Sequence, residues 1–243
     1  MTTPRFLVPG VAGPGQSLAL PPAAEHHARR VLRLRAGDAV VLFDGAGSEF
    51  EAVLVEDPLN ASQLQARVVR GAPVDREAGV AITLVQALCA QDKLDWIIEK
   101  CVELGAARLI LAPAERSVVR LAGERRERRI ERWRDLVAAA CSQCGRNRLP
   151  PLQFADDLAA ALRADGPGAE RWILDPRAGR GLAPGAGPVT VAVGPEGGFT
   201  DTELELARSL GYTDARMGSR ILRTETAGLA AISAILALRG EWA

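Results

Sequence analysis

Three short runs rich in apolar residues near the start of the chain, Val40 to Phe43, Phe50 to Val55 and Leu64 to Val69, are strand candidates. Turn-forming residues lie between them, Asp44, Gly45 and Gly47 first and Asp57, Pro58 and Asn60 second, so Gly45 to Phe50 reads as a hairpin turn. A helical pattern from about Pro22 to Leu34 precedes the strands. These elements predict a small β-rich domain over residues 1–72, and the polar stretch after it predicts a linker over 73–79.

From Val80 the pattern changes to one of alternating strand and helix. Ala81 to Leu88 is continuously apolar apart from Thr83 and Gln86, as expected of a strand buried on both faces. Leu94, Ile97, Ile98, Cys101 and Val102 then recur at helical spacing and stop at Gly105, before a second buried strand, Arg108 to Ala112. A long basic helix follows, Glu124 to about Cys144, and then strands at Arg171 to Asp175 and Val189 to Val193. Residues 80–243 are therefore expected to form one α/β domain around a mostly parallel sheet.

The last third concentrates the glycines. Gly194, Gly197 and Gly198 surround Pro195 and Glu196 directly after an apolar strand, where backbone can approach a ligand closely. Thr200 with Glu203 predicts a capping box, so a helix starts at once and runs to Gly211. A second loop, Met217 to Glu225, carries Gly218, Arg220 and Arg223 and opens a helix of small residues, Ala227, Gly228, Ala230, Ala231, Ser233 and Ala234. Two loops of this kind at strand ends predict a ligand cleft beyond the carboxyl edge of the sheet.

Composition narrows the classes. The chain has 243 residues, 48% apolar and 25% charged, which suits a globular protein with a substantial core. No apolar run approaches a membrane span and the N-terminus lacks the apolar core of a secretory signal, so a cytoplasmic protein is expected. In such a protein Cys89, Cys101, Cys141 and Cys144 should not form disulfides. Cys141 and Cys144 have C-x-x-C spacing, but no second pair exists and His26 and His27 are distant, so no metal site is expected.

Positive charge equals negative charge, 30 residues each, so binding of nucleic acid by bulk charge is excluded and only local patches remain. Lys93 and Lys100 are the only lysines; the other cations are arginines, whose planar fork suits phosphate. One candidate patch is the first helix and its end, with His27, Arg29, Arg30, Arg33 and Arg35. A second is the long basic helix and the loop after it, with Arg125, Arg129, Arg146 and Arg148. In that helix Glu127 and Glu131 interleave with the arginines, so a salt-bridged surface helix competes with an RNA-binding reading.

Gly194-Pro-Glu-Gly-Gly-Phe-Thr and Gly218-Ser-Arg-Ile-Leu-Arg-Thr-Glu-Thr-Ala together resemble the C-terminal signature of the RsmE family of bacterial 16S ribosomal RNA methyltransferases, within the SPOUT superfamily. The resemblance extends over essentially the whole chain: His27, Val31-Leu-Arg and Gly37-Asp resemble the PUA-like RNA-binding barrel, Glu99-Lys-Cys-Val-Glu-Leu-Gly the helix ending in E-L-G, and Arg132-Trp133 with Gln143-Cys-Gly-Arg the middle segment. It implies a SPOUT-type trefoil-knotted α/β domain behind a small PUA-like β-barrel, and a homodimer. The implied activity is S-adenosylmethionine-dependent methylation of uridine N3 in 16S ribosomal RNA of the small ribosomal subunit. Ala90 and Ser142 depart from the family pattern, which usually has Lys and Glu there.

On this resemblance the cofactor is expected against Leu174, against Gly194, Pro195, Glu196, Gly197 and Gly198, and against Met217, Gly218, Ser219, Ile221, Leu222 and Thr224. Uridine N3 carries a proton at neutral pH, and its loss leaves charge on the ring oxygens that a cation should offset. Arg223 and Arg220 are the candidates, with Glu225 either orienting an arginine or accepting the proton. Other readings stay open: a SPOUT enzyme acting on a ribose hydroxyl or another base, an RNA-binding assembly factor without catalysis, or a phosphate-binding enzyme. The last is disfavoured because no Lys-Ser/Thr follows the glycines.

Overall fold

In the computed structural model, which describes residues 3–58, 60, 63–164 and 168–242, the chain divides into two compact units. The first comprises the residues up to Glu77 together with Cys141–Leu149; the second comprises Ala78–Ala140 and the chain from Pro150 onward.

The first unit is a five-stranded sheet in the order β1 (Arg5–Leu7), β3 (Ala39–Phe43), β4 (Ser48–Glu56), β5 (Leu64–Pro73), β2 (Ser17–Ala19). β1 runs parallel to β3 and the other pairs are antiparallel. Side chains alternate across the pleat, so Phe50, Ala52 and Leu54 of β4 point inward with Val40 and Leu42 of β3. Opposite Phe50 stands Gly71, where an added Cβ would lie 2.4 Å from the ring, so the glycine makes room for the aromatic. The hairpin turn forms at Asp44, whose carboxylate accepts the amides of Ala46, Gly47 and Ser48. The predicted first helix is shorter than its pattern. α1 (Pro22–His26) starts on a proline, continues as a π-helical turn, His27–Val31, and stops before Arg33, which sits in the left-handed region at φ 57°.

The loop Cys141–Leu149 explains why this unit borrows residues from far along the chain. Asn147, 1% exposed, accepts from Arg5 through Oδ1 and donates through Nδ2 to Glu49 and to the Val74 carbonyl. Arg146 does not extend the basic surface as expected. Its side chain is buried and ion-paired with Glu77, because a guanidinium taken from water requires a carboxylate partner.

The second unit is a six-stranded, all-parallel sheet in the order β11 (Thr213–Ala215), β9 (Glu170–Leu174), β10 (Val189–Val193), β6 (Ile82–Ala87), β7 (Arg108–Ala112), β8 (Leu152–Phe154). Its helices are α2 (Gln91–Glu103), α3 (Gly123–Cys144, whose last turn belongs to the first unit), α4 (Leu158–Arg163), α5 (Asp201–Ser209) and α6 (Thr224–Leu238). β10 is buried throughout, as its unbroken apolar run requires, and α2 buries Leu94, Ile97, Ile98, Cys101 and Val102. The small residues of α6 serve packing: an added Cβ at Gly228 would lie 3.3 Å from Leu84 and 3.6 Å from Val193, so the helix seats directly on β6 and β10.

The basic helix α3 takes the salt-bridged form. Arg126 pairs with Asp156, Arg128 with Glu124 and Arg132 with Asp95, while Arg129 donates to Gln91 and lies over the Trp133 ring. Cys141 is buried, and burial pushes its thiol up to about 12 against the opposing charge of Arg146, so it is a poor nucleophile at neutral pH. Among the described residues no helix is long and apolar enough to cross a membrane.

Candidate active site

Three chain segments leave the carboxyl edge of the sheet side by side, and each has a local reason for its shape. After β10 the chain folds back on itself. A Cβ at Gly194 would sit 3.1 Å from the backbone of Gly198 and Phe199, closer than side chains ordinarily pack, so the turn favours glycine there, and Gly198 adopts φ 68°. The capping box forms as expected: Thr200 Oγ1 accepts the Glu203 amide at 3.3 Å and the Glu203 carboxylate accepts the Thr200 amide at 2.8 Å, which starts α5 immediately. Arg116 braces the loop, donating to the carbonyl of Gly197 at 2.9 Å.

The second segment, Met217 to Arg223, follows β11 and turns at Gly218, φ 75°. Thr224 opens α6, and its hydroxyl donates to the Gly194 carbonyl at 2.6 Å while accepting from Gln86 Nε2 at 3.0 Å. Gln86 is fully buried, so this chain of bonds ties β6, the glycine loop and α6 together in a low-dielectric interior where each bond is strong. The third segment begins at Leu174, the end of β9. Asp175 accepts from the amide and guanidinium of Arg177, which also pairs with Asp201 at 2.9 Å.

Lys93, in the first turn of α2, joins the loops electrostatically. Its Nζ lies 3.2 Å from Glu196 and 3.6 Å from Glu225. Glu196 also accepts the Ala90 amide at 3.0 Å. Ala90, which stands where the family usually has lysine, thus contributes its backbone to the site. The hydrogen bond to Glu196, and secondarily the charges of both glutamates, hold the Lys93 ammonium above the ordinary lysine range, so it is a fixed cation at neutral pH.

The segments enclose a cleft of about 640 Å³. Of the expected cofactor residues, Leu174, Gly194 to Gly198, Met217, Ile221, Leu222 and Thr224 line it; Gly218 and Ser219 lie outside its wall. Arg220 and Arg223 line it and Glu225 does not: its carboxylate faces Lys93. Ile221 is 81% exposed, an apolar side chain held at the rim rather than in the core. Lys93, Arg116, Asp175, Arg177 and Arg216, none of them expected here, also line the cleft, and Gln86 lies beneath it. A signal for Lys93 was available: α2 begins immediately beyond the central strand β6, so its first turn must lie at the same sheet edge as the glycine loop.

A sequence model described as an RNA methyltransferase domain matches residues 76–236, and one described as an RNA methyltransferase PUA domain matches 23–66. The chain belongs to the RNA methyltransferase family. This methyltransferase is 31% identical over 221 residues to ribosomal RNA small subunit methyltransferase E of Bacillus subtilis, with 86% of each chain covered. It is 32% identical to the protein of that name in Mycobacterium bovis, covering 89% of this chain and 84% of the relative. Among solved structures, a methyltransferase of Legionella pneumophila with bound S-adenosylmethionine superposes with a TM-score of 0.91 at 32% identity, and the S-adenosylmethionine-bound small subunit methyltransferase E of Neisseria gonorrhoeae with 0.88 at 34%; each covers 98% of both chains. The fold is accordingly an α/β RNA methyltransferase unit with a PUA N-terminal unit.

Of the residues expected to face RNA, His27, Arg29, Arg30, Arg33 and Arg35 are exposed on the first unit. Arg29 lies 3.9 Å from Glu25, and the His27 ring meets Phe6 edge-on. Arg125 and Arg148 are exposed, Arg129 is turned onto Gln91 and Trp133, and Arg146 is buried.

Proposed function

We propose that this methyltransferase transfers a methyl group from S-adenosylmethionine to N3 of a uridine in 16S ribosomal RNA of the small ribosomal subunit. The observation that carries the reading is the cleft itself: two glycine loops cross-tied by Thr224 and Gly194, in a chain whose relatives are named for that subunit and whose structural neighbours hold that cofactor.

The cleft fits the group. Its volume lies within the range of small-molecule sites, its walls combine apolar side chains at Leu174, Val193, Ile221 and Leu222 with loop backbone, and an added Cβ at Gly198 meets nothing within 4 Å, leaving backbone open to a ligand. Leu174, Gly194 to Gly198, Met217, Ile221, Leu222 and Thr224 would hold it. When bound, the cofactor supplies an electrophilic methyl group on a sulfonium. This chain's residues must present the nucleophile. Loss of the N3 proton leaves negative charge on the uracil oxygens, and Arg220 and Arg223, at the cleft and without a side-chain partner among the described residues, offset it. Glu225 acts on this reading by orienting Lys93, since its carboxylate faces that ammonium rather than the cleft. Arg30, Arg33 and Arg35 of the first unit hold the RNA.

The reading includes a cytoplasmic homodimer. What supports the dimer is an apolar surface on α2 and around the end of α6, where Trp96, Leu238 and Trp242 are 51%, 65% and 59% exposed. Sedimentation equilibrium should give twice the chain mass, and Leu238→Asp should reduce it to one chain.

The activity is tested by incubating the protein with methyl-labelled S-adenosylmethionine and small or large ribosomal subunits from a strain lacking the modification. Label in the small subunit alone is expected. Label in the large subunit alone, or in neither, contradicts the reading.

A further inference from the structure

The arginines at the sheet edge fall into two electrostatic classes. Arg177 is neutralised by Asp175 and Asp201, Arg208 by Asp214, and Arg116 is occupied with loop carbonyls. Arg180, Arg216, Arg220 and Arg223 are exposed, and none has a side-chain hydrogen bond or ion pair among the described residues. In a chain whose charges balance, 30 against 30, partners for these four were available in number, yet they stand grouped and unpaired. Grouped like charges repel one another, and a bound polyanion removes that repulsion.

Backbone geometry fixes the group. The Arg216 amide donates to the Arg180 carbonyl at 2.9 Å, and Gly181 pairs with Arg216 in an isolated parallel bridge. This pins the loop after β9 beside the chain leaving β11, so Arg180 and Arg216 rise from adjacent backbones. Arg216, Arg220 and Arg223 line the 640 Å³ cleft, and Arg180 lines an open, polar hollow of about 900 Å³ that shares Asp175 and Arg177 with it. The two hollows therefore adjoin, with unpaired guanidinium groups along both.

We infer that Arg180 and Arg216 form a phosphate track that leads a single strand of RNA from the open hollow into the methyl-transfer cleft. This rests on the RNA methyltransferase reading and adds to it where the substrate strand runs. N3 lies on the base-pairing edge of uracil, so the target base must leave its stack and enter the cleft, while its flanking phosphates stay outside. Those phosphates need cations at the cleft mouth on the side from which the strand arrives. Arginine suits the task because its fork meets two phosphate oxygens at once.

The test uses the full chain with Arg180→Ala, Arg216→Ala, the double alanine variant and the double lysine variant. Three quantities are measured: the cofactor dissociation constant by calorimetry, KM for unmodified small subunits over a series of KCl concentrations, and binding of a labelled oligouridylate. Each alanine substitution should leave cofactor affinity unchanged and raise KM and the oligouridylate dissociation constant by about threefold to tenfold. Each should flatten the log–log salt dependence by about 0.7, the expectation for one single-strand phosphate contact. The lysine pair should keep the salt slope. Unchanged KM, oligouridylate affinity and slope overturn the inference, as does a loss of cofactor affinity equal to the loss in KM, which would assign Arg216 to the cofactor. If the wild-type protein methylates no subunit the function proposed above fails, and oligouridylate binding alone then decides whether the track exists.

Discussion

The hydroxyl of Thr224 donates to the carbonyl of Gly194 across 2.6 Å, although 30 residues separate them in the chain. The same hydroxyl accepts from Gln86, so it is buried and shared between three elements. Removing it while keeping the shape takes the donor from the buried Gly194 carbonyl and one of two acceptors from Gln86 Nε2, which keeps the Ala87 carbonyl, at about 1–3 kcal/mol. Thr224→Val should therefore weaken S-adenosylmethionine binding roughly tenfold, and Thr224→Ser should restore most of the loss; isothermal titration calorimetry checks both.

Gly194→Ala probes the same loop sterically. Its Cβ would press on backbone atoms of Gly198 and Phe199 at 3.1 Å, and backbone cannot swing aside as a side-chain tip can. Overpacking of this kind costs about 1–3 kcal/mol. Thermal unfolding should show a lower midpoint together with weaker cofactor binding.

Arg223→Ala separates chemistry from binding. If the guanidinium offsets charge that exists only as N3 is deprotonated and methylated, kcat should fall roughly a hundredfold. The cofactor dissociation constant should change little. Equal losses in both would mean that Arg223 only shapes the pocket.

Much of this site was legible in the sequence because its parts are local. The strand at Val189 to Val193, the glycines after it, the capping box at Thr200 and the small-residue helix each carry their signal within a few residues. The rest depends on contacts between distant residues. The strand before α2 hints at the edge where Lys93 lies, but its pairing with Glu196 and Glu225 emerges only from the fold. Arg146 shows the opposite failure: a charged residue beside a basic helix reads as surface, and only the fold reveals that it is buried against a half-buried Glu77. The three-residue strands β1, β2, β8 and β11 are too short to show a period.

Glu49 sets an acid limit on the first unit. The hydrogen bond from Arg76, opposed by burial and reinforced by Arg5 and Asn147, holds its carboxyl down to about 2 from an ordinary 4.5. A depressed folded pKa adds stability that is fully present above 4.5 and is lost as pH falls from there through about 2. Glu49→Gln should thus be less stable than the wild type at pH 7, and the gap should close as pH approaches 2. Denaturant titrations at a series of pH values measure it.

The central claim concerns one atom of one base. Small subunits methylated by the protein should be digested to nucleosides and resolved by mass spectrometry against 3-methyluridine, 5-methyluridine and 2′-O-methyluridine standards, with primer extension locating the stop on 16S RNA. The account predicts 3-methyluridine alone, with a stop at a single uridine. A methyl group on the ribose or on another ring position would contradict it.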